Sequence, residues 1–261
     1  IYKGSFIFPE TLIELRKLKA FTVNFYPDVS FHTHGRYLTK SLPLYDIVFT
    51  TKSFGVRDMR EQLNIQDSYF IPHGFDPEIH RYFDVKNYNN NLYDCDVGFI
   101  GTWSPKKESL LKNILDKIPA KNLKIFGNQW EKAKLTVREK WMGRDVLGDN
   151  YAIAINSTKI NLGLLSERIK GASSGDQITS RTFHIPACNG FLLHEKTDEV
   201  SDYFTPDKEI VCFGNGNDMI ERIKYYLENQ DQLEEIAKNG HKRALKDHSL
   251  DNRAIKILKI L

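Results

Sequence analysis

The feature that most constrains this chain is the regular alternation of short apolar segments of strand type with segments of helical periodicity. Parallel strands need a covering helix between them, so such alternation predicts parallel sheets with helices on their faces. The pattern therefore predicts an α/β fold. In the first part of the chain we predict strands at Ser5–Phe8, Phe21–Phe25, Ile47–Thr50 and Tyr69–Ile71, and helices from Pro9, near Arg36–Leu42 and from Ser53.

The same alternation continues in the second part of the chain. A helix directly after Gly101 carries its apolar residues, from Leu110 to Ile118, at the spacing of one buried face. We predict strands at Asp96–Gly101, Leu123–Phe126, Ile160–Leu164, Gly190–His194 and Ile210–Phe213. Further helices are predicted at Asn150–Ser157, Ser180–Cys188 and Asp198–Tyr203, and three more at the C-terminus.

The alternation is interrupted once, between residues 72 and 92. PHGFDPEIH is rich in turn formers, and KNYNNNLYD has no periodicity. We therefore predict an N-terminal domain at 1–80, a linker at 81–94 and a C-terminal domain at 95–261. A complete domain of this kind has roughly 100–150 residues, so the N-terminal domain is expected to be incomplete. Ligands of open parallel sheets bind in a crevice at the strand ends, here expected between two domains.

Composition restricts the class of protein. Apolar residues make up 41% and charged residues 27% of the chain, as in soluble globular proteins. The net charge is only +3, and the basic excess lies near the C-terminus, where it fits a solvated helix face or peripheral contact with an anionic membrane. No nucleic-acid-binding motif accompanies it. Three widely spaced cysteines fit neither a disulfide framework nor a zinc site, which favours the cytoplasm.

Two glycines at strand ends are the first candidates for ligand binding. Gly101 and Gly127 each follow an apolar strand, where a missing side chain lets phosphate groups approach backbone N–H groups. Lys106 and Lys107 follow Gly101 and would add positive charge. The competing interpretation is that these glycines serve only close packing.

A second candidate is the polar segment GASSGDQITSRTFHIPACNG, which follows a predicted strand. Thr179 and Thr182 lie where hydroxyl groups commonly cap a helix. A carboxylate, a guanidinium and an imidazole at Asp176, Arg181 and His184 exceed what capping requires. Carboxylates hold sugar hydroxyls, and arginine with helix N–H groups holds pyrophosphate. The segment therefore predicts a site for a phosphorylated sugar.

Three segments, DVGFIGTW, TSRTFHIPACNGFLLHE and KYYLENQDQLEEIAKNGHKRALKDH, make the chain resemble glycosyltransferase-like proteins related to the spore-maturation (spore-coat) family. IPHGFDPEIH resembles the segment that joins the two halves of many GT-B enzymes. The resemblance implies a GT-B fold, with two Rossmann-like domains whose parallel sheets face a cleft. It also implies metal-independent transfer of a sugar from a nucleotide-diphosphate sugar to an acceptor hydroxyl, in synthesis of cell-surface glycan or polysaccharide.

The resemblance also assigns roles to residues. Retaining relatives carry a pair of glutamates, one on the donor sugar and one on the ribose, and their positions correspond here to Asp176 and His184. Relatives carry arginine and lysine facing the diphosphate, at positions corresponding to Thr102 and Lys107. We expect Arg181 to supply the missing guanidinium. Catalytic roles are thus expected for Asp176, Arg181 and His184, and donor binding for Gly101, Thr102, Lys107, Gly127, Thr179 and Thr182.

Neither a metal nor a cofactor other than the donor substrate is predicted. Five scattered histidines, His32, His34, His73, His80 and His194, are interpreted as structural or surface residues, and for His32, His34 and Asp28 a place on the acceptor side of the cleft is the alternative. Trp103 and Trp130 follow strand ends, where they would either stack on a base or sugar or pack in the core. Two alternative functions stay open: a nucleotide-sugar epimerase or hydrolase, and a non-catalytic nucleotide-sugar-binding relative.

Overall fold

The computed structural model describes residues 1–85, 91–119 and 121–261. The chain divides into two compact units. Unit 1 contains residues 1–73, 167–177 and 253–261, and unit 2 contains residues 74–166 and 178–252. The predicted linker, 81–94, includes residues 86–90, which lie outside the described residues.

Unit 1 is built on a parallel sheet whose strands lie in the order β1-β2-β3. Its core contains aromatic and aliphatic side chains from both the sheet and its helices, including Tyr26, Leu42 and Met59. The elements are α1 (Pro9–Lys17), β1 (Val23–Tyr26), α2 (Leu38–Ser41), a 3-10 turn (Leu42–Leu44), β2 (Ile47–Thr50), α3 (Ser53–Leu63) and β3 (Ser68–Phe70).

The strand predicted at Ser5–Phe8 is wrong. Lys3 and Gly4 have φ angles of 60° and 72°, in the left-handed region, so the backbone turns before Ser5. Pairing with β1 is made earlier, where Phe25 N–H donates to Ile1 O at 2.9 Å and Lys3 N–H donates to Phe25 O at 2.8 Å. The other strands and the helices predicted in unit 1 are confirmed, with ends shifted by at most two residues.

Unit 2 carries a parallel sheet with the strand order β5-β4-β6-β7-β8. Its strands are β4 (Cys95–Ile100), β5 (Leu123–Phe126), β6 (Thr158–Gly163), β7 (Leu192–Glu195) and β8 (Val211–Phe213). The chain runs from β4 outwards to β5 and then returns to place β6 on the other side of β4. The order therefore reverses between β4 and β6, which is where open α/β sheets bind ligands at the carboxyl ends of their strands.

Helices connect these strands, and all but the short α5 were predicted. The helices of unit 2 are α4 (Pro105–Lys117), α5 (Leu135–Arg138), α6 (Asp149–Asn156), α7 (Ser180–Ala187), α8 (Gly216–Glu228) and α9 (Gln230–Asp247). The last helix, α10 (Leu250–Leu258), belongs for the most part to unit 1. The buried stripe of α9 contains Leu233, Ile236 and Ala237, which pack into the core of unit 2. The helix predicted at Asp198–Tyr203 is a 3-10 turn, Glu199–Asp202.

The units differ from the predicted domains in their course along the chain. Residues 74–80 belong to unit 2, whereas residues 167–177 and 253–261 belong to unit 1. The loop 167–177 is held in unit 1 by hydrogen bonds from Ser30 Oγ to Lys170 O (2.7 Å) and from Gln62 Nε2 to Gly171 O (2.9 Å). None of the helices in the described part of the chain combines the length and apolar character needed to cross a membrane.

Candidate functional site

A cavity of about 440 Å³ opens at the carboxyl edge of the sheet in unit 2. This volume falls within the usual range for small-ligand sites, roughly 300–1,000 Å³. The residues after β4 and β5, the start of α7 and a segment before α6 form its walls. The lining residues are Ile79, His80, Ile100, Gly101, Thr102, Gly127, Asn128, Asp145, Val146, Leu147, Gly148, Tyr151, Ser180, Arg181 and His184.

The two predicted glycines meet at this edge. Ile100 and Phe126 are neighbours in the register of β4 and β5, so the residues that follow them lie side by side. Gly127 has a φ of 118°, and a Cβ there would overlap the carbonyl oxygen of Gly101 and lie 2.7 Å from its carbonyl carbon. Glycine is therefore required at residue 127 both by its backbone angle and by the close approach of the two turns.

The amide groups of these glycines are used within the protein. Gly101 N–H donates to Phe126 O and Gly127 N–H donates to Arg144 O, both at 2.9 Å. Thr102 N–H, by contrast, has no hydrogen-bond partner among the described residues. The glycines thus leave open space at this edge, and Thr102 lines the cavity there.

Arg181 brings a fixed positive charge to the same edge. Its Nη2 donates to Leu164 O at 2.7 Å, and its guanidinium carbon lies 5.2 Å from the centre of the Phe99 ring. A Cβ at Gly101 would lie 2.8 Å from Arg181 Nη1, so the guanidinium directly covers this glycine. Because Gly101 follows β4 and Leu164 follows β6, Arg181 lies where the strand order reverses.

The start of α7 is fixed from inside the protein. Thr179 N–H donates to Thr182 Oγ1 at 3.0 Å, and this oxygen lies 2.9 Å from His194 Nε2. Thr182 and His194 are fully buried, and Thr179 is 6% exposed. Neither threonine lines the cavity, so their observed contacts hold the helix that presents Arg181.

His184 lines the cavity as part of an aromatic cluster. Its ring stacks on that of His80, with 3.7 Å between the centroids. Tyr151 packs edge-on against both rings. Burial lowers the pKa of His80, opposed by Asp76, and burial raises the pKa of the Tyr151 hydroxyl. Both shifts favour neutral side chains at this end of the cavity.

Lys107 does not line the cavity. It is 4% exposed, and its Nζ donates to Thr102 O at 3.2 Å and to Ser166 Oγ at 3.1 Å. Lys107 therefore supports the turn at Thr102 from behind. Lys106, one residue earlier, forms an ion pair with Glu195, with 2.6 Å between Nζ and Oε2.

Asp176 lies in unit 1, where it is buried. Its Oδ1 is 2.6 Å from Lys52 Nζ, and both side chains are only 6% exposed. Asp58 accepts a hydrogen bond from Ser173 N–H at 2.9 Å and holds the same loop. The structure thus assigns Asp176 a buried ion pair, and its contact with a donor sugar stays a prediction.

The tryptophans pack in the interior and do not line the cavity. Trp130 is fully buried, and its Nε1 donates to Gly101 O at 2.8 Å. Trp141 Nε1 donates to Gly127 O at the same distance. Trp103 is partly buried against the core, and its Nε1 donates to Glu108. Trp103 and Trp130 were expected either to stack on a base or sugar or to pack in the core, and the structure shows packing against the core.

Sequence reasoning missed several residues of the cavity, including His80, Asn128, Val146 and Tyr151. Asn128 had a local signal, because it directly follows the strand-end glycine. His80 and Val146 lie in segments without strand-end or helix-start patterns, and Tyr151 lies at the start of a predicted helix that carried no other sign of a site, so only the folded chain brings them to the cavity. Among the described residues, no three His, Cys, Asp or Glu side chains form a group that could hold a metal ion.

A parallel sheet with a cavity and a fixed cation where its strand order reverses is typical of α/β proteins that bind phosphorylated ligands. The family model described as "glycosyl transferase-like" matches residues 106–259, more than half of the chain. The chain therefore belongs to the glycosyl transferase-like family, and its enzyme class is glycosyltransferase. A search of curated proteins found no matching sequence.

Solved structures with this fold include HepE of Anabaena in complex with UDP-glucose, at a TM-score of 0.71 and 11% identity over 96% of this chain and 76% of that one. Sucrose-phosphate synthase of Thermosynechococcus elongatus gives a TM-score of 0.69 and 12% identity, over 97% and 70% of the two chains. A glycosyltransferase of Rickettsia africae gives 0.64 and 11%, over 95% and 78%. At these identities the likeness establishes the fold, which is that of GT-B glycosyltransferases.

Proposed function

We propose that unit 2 binds a nucleotide-diphosphate sugar in its cavity and that the protein transfers the sugar to an acceptor hydroxyl. The observation that carries the proposal is the Arg181 guanidinium, fixed against Gly101 where the strand order reverses. A guanidinium held by the protein before the ligand arrives is suited to a diphosphate, because it needs no rearrangement as negative charge develops.

The proposed leaving group is the nucleoside diphosphate. Its negative charge would be stabilised by Arg181, by the N-terminus of α7 and by Thr102 N–H. Gly127 would allow the phosphates to approach the strand ends. Fixed protein charges can do this work without a metal ion, so we propose metal-independent transfer. Lys107, Thr179 and Thr182 would act by positioning the Thr102 turn and the start of α7.

The finer assignments rest on the resemblance to spore-maturation-like relatives. We propose that His184 contacts the ribose, that Asp176 contacts the donor sugar, and that the transferred group is a hexose or a related sugar. Retention of the anomeric configuration, a role in cell-surface glycan or polysaccharide synthesis, and a cytoplasmic, peripherally membrane-associated location are proposals of the same kind. UDP-glucose occurs in the Anabaena structure and is a suitable first donor.

A panel of nucleotide sugars tests donor binding. A ligand at one hundred times its dissociation constant stabilises a protein by about 2.7 kcal/mol, which raises the melting temperature of a chain of this size by several degrees. We expect at least one nucleotide sugar to do so, and expect the Arg181→Ala variant to lose most of this shift. Lys112→Ala, in an exposed ion pair with Asp116, is the matched control. Stabilisation that persists in Arg181→Ala would contradict the site.

A second candidate function is nucleotide-sugar binding without transfer. It is favoured by His184, an imidazole at a position where resembling transferases carry a carboxylate. The two functions are separated by incubating the stabilising donor with a panel of saccharide acceptors and following the released nucleoside diphosphate. Release that depends on an acceptor supports transfer. Release without any acceptor indicates a hydrolase, and binding without release indicates the second candidate.

A further inference from the structure

The stacked pair of His80 and His184 is the least expected feature of the cavity. The rings lie 3.7 Å apart between centroids, with 28° between their planes. His80 comes from the segment after Gly74 and His184 from α7, and both line the cavity. Tyr151 of α6 closes the pair edge-on, at 5.4 Å from His80 and 5.8 Å from His184.

Backbone groups fix the orientation of both rings. Asp76 N–H donates to His80 Nδ1 at 3.1 Å, and His184 Nε2 lies 3.0 Å from Gly74 O. An amide N–H can only donate and a carbonyl oxygen can only accept, so these partners determine the tautomers of the neutral rings. His80 then carries its proton on Nε2, and His184 also carries its proton on Nε2.

The Nε2–H group of His80 is a hydrogen-bond donor in the cavity wall. Within the described ranges of the chain, no residue accepts a hydrogen bond from it. A donor that is held by the backbone and left without a protein partner is suited to an oxygen of the ligand. Burial lowers the pKa of His80, and Asp76 opposes this; the neighbouring groups that bear on its charge are His184, Tyr151 and Asp76.

The position of His80 relative to Arg181 indicates which part of the ligand it meets. Arg181 covers Gly101 and marks the diphosphate end of the proposed site. The next cavity-lining residue on α7 is His184, about one helical turn further along, and His80 is stacked on it. A nucleotide sugar carries hydroxyl groups on both sides of its diphosphate, on the ribose and on the transferred sugar. His80 stacks on His184, the proposed ribose contact, which favours the ribose side for His80.

We propose that His80 is a ribose-binding residue, whose Nε2–H donates a hydrogen bond to a ribose hydroxyl of the nucleotide-sugar donor. This inference rests on the proposed function. It gives a binding role to a histidine that the sequence marks only as structural or surface. The stack further makes His80 a support for the ring of His184.

The test couples a change in the protein to a change in the ligand. His80→Phe keeps an aromatic ring against His184 but removes the N–H donor, and His80→Gln keeps an amide N–H that reaches the same place. Dissociation constants are measured by calorimetry for UDP, GDP, ADP and CDP and for their 2′,3′-dideoxy forms. The wild-type protein should prefer at least one ribonucleotide over its dideoxy form.

The expected result is a preference for the ribonucleotide that falls about three- to tenfold in His80→Phe, the value of one neutral hydrogen bond. The His80→Gln variant should recover part of it, and the affinity for the dideoxy nucleotide should stay unchanged. An undiminished preference in His80→Phe, or an equal loss with both forms, would overturn the inference while leaving donor binding intact. If the wild-type protein binds none of these nucleotides, the inference and the proposed function both fail. If His80→Phe does not fold, His80→Leu, which also lacks the donor, is compared with His80→Gln: a preference lost in the leucine variant and partly kept in the glutamine variant supports the inference, and equal preferences in the two variants overturn it.

Discussion

The close approach of Gly101 and Gly127 leads to a quantitative prediction for Gly127→Ala. The new Cβ would lie 2.7 Å from the Gly101 carbonyl carbon, whereas non-bonded carbon atoms pack at roughly 3.5–4.0 Å. The turn at Gly101 must therefore move by about 1 Å. A side chain at a φ of 118° adds backbone strain of about 1–3 kcal/mol. Together, these effects should lower the free energy of unfolding of unit 2 by about 3 kcal/mol.

Gly143→Ala is the matched control, because Gly143 also has a positive φ, 70°, but no atom lies within 4 Å of its added Cβ. Strain there is about 1–2 kcal/mol and is partly offset by the lower entropy of the unfolded chain. Urea unfolding followed by tryptophan fluorescence measures both variants, since all three tryptophans, Trp103, Trp130 and Trp141, belong to unit 2. The midpoint of Gly127→Ala should lie about 1 M below that of Gly143→Ala. Equal midpoints would refute the steric argument.

Three further predictions concern the interior of the units. Lys52→Met should destabilise unit 1 by about 3–5 kcal/mol, because it leaves the Asp176 carboxylate buried without its cation. The control Lys159→Met breaks a more exposed ion pair with Asp96 and should cost at most about 1 kcal/mol. Equal losses of stability in the two variants, measured by hydrogen exchange, would contradict this. Thr182→Val removes the oxygen that accepts a hydrogen bond from the buried Thr179 N–H group and should lower the free energy of unfolding by about 1–3 kcal/mol. An unchanged melting temperature would show that Thr182 does not hold the start of α7. Burial raises the pKa of Cys95 and Cys212 to about 11 and of Cys188 to about 12. Ellman's reagent at pH 8 should therefore leave the folded protein unmodified and react in urea, and rapid reaction of the folded protein would contradict this. The free energy of unfolding should fall as the pH rises past the thiol pKa of the unfolded chain, about 8.5, because only the unfolded chain then releases these protons.

Local sequence signals were sufficient for most elements of the fold. The strands Ile47–Thr50 and Leu123–Phe126 and the helix Ser53–Leu63 have the bounds that their apolar patterns predict. These segments succeed because burial of one face and helix-breaking neighbours act over a few residues. Ser5–Phe8 failed because its apolar residues follow two left-handed residues, which end the extended backbone, and Phe6 and Phe8 are exposed.

The site was only partly accessible from the sequence. Gly101 and Gly127 could be identified because they directly follow strands, and Thr102 through the resemblance to relatives that carry an arginine at its position. The sequence could not show whether Lys106 or Lys107 turns inwards, since adjacent residues in the first turn of a helix face different directions. Nor could it show that His80 stacks on His184, because that contact joins segments far apart in the chain. Contacts of that kind exist only after the sheet and α7 are in place.

We propose above that Arg181 and the strand-end turns of unit 2 hold the diphosphate of a nucleotide sugar. Calorimetric titration of the wild-type protein and Arg181→Gln with the stabilising nucleotide sugar tests it most directly. Hydrogen bonds to charged groups contribute about 1.5–3 kcal/mol, so the substitution should weaken binding by about ten- to a hundredfold. The loss should be much smaller for the corresponding nucleoside, which lacks the diphosphate. Equal affinity of the two proteins for the nucleotide sugar would contradict the account.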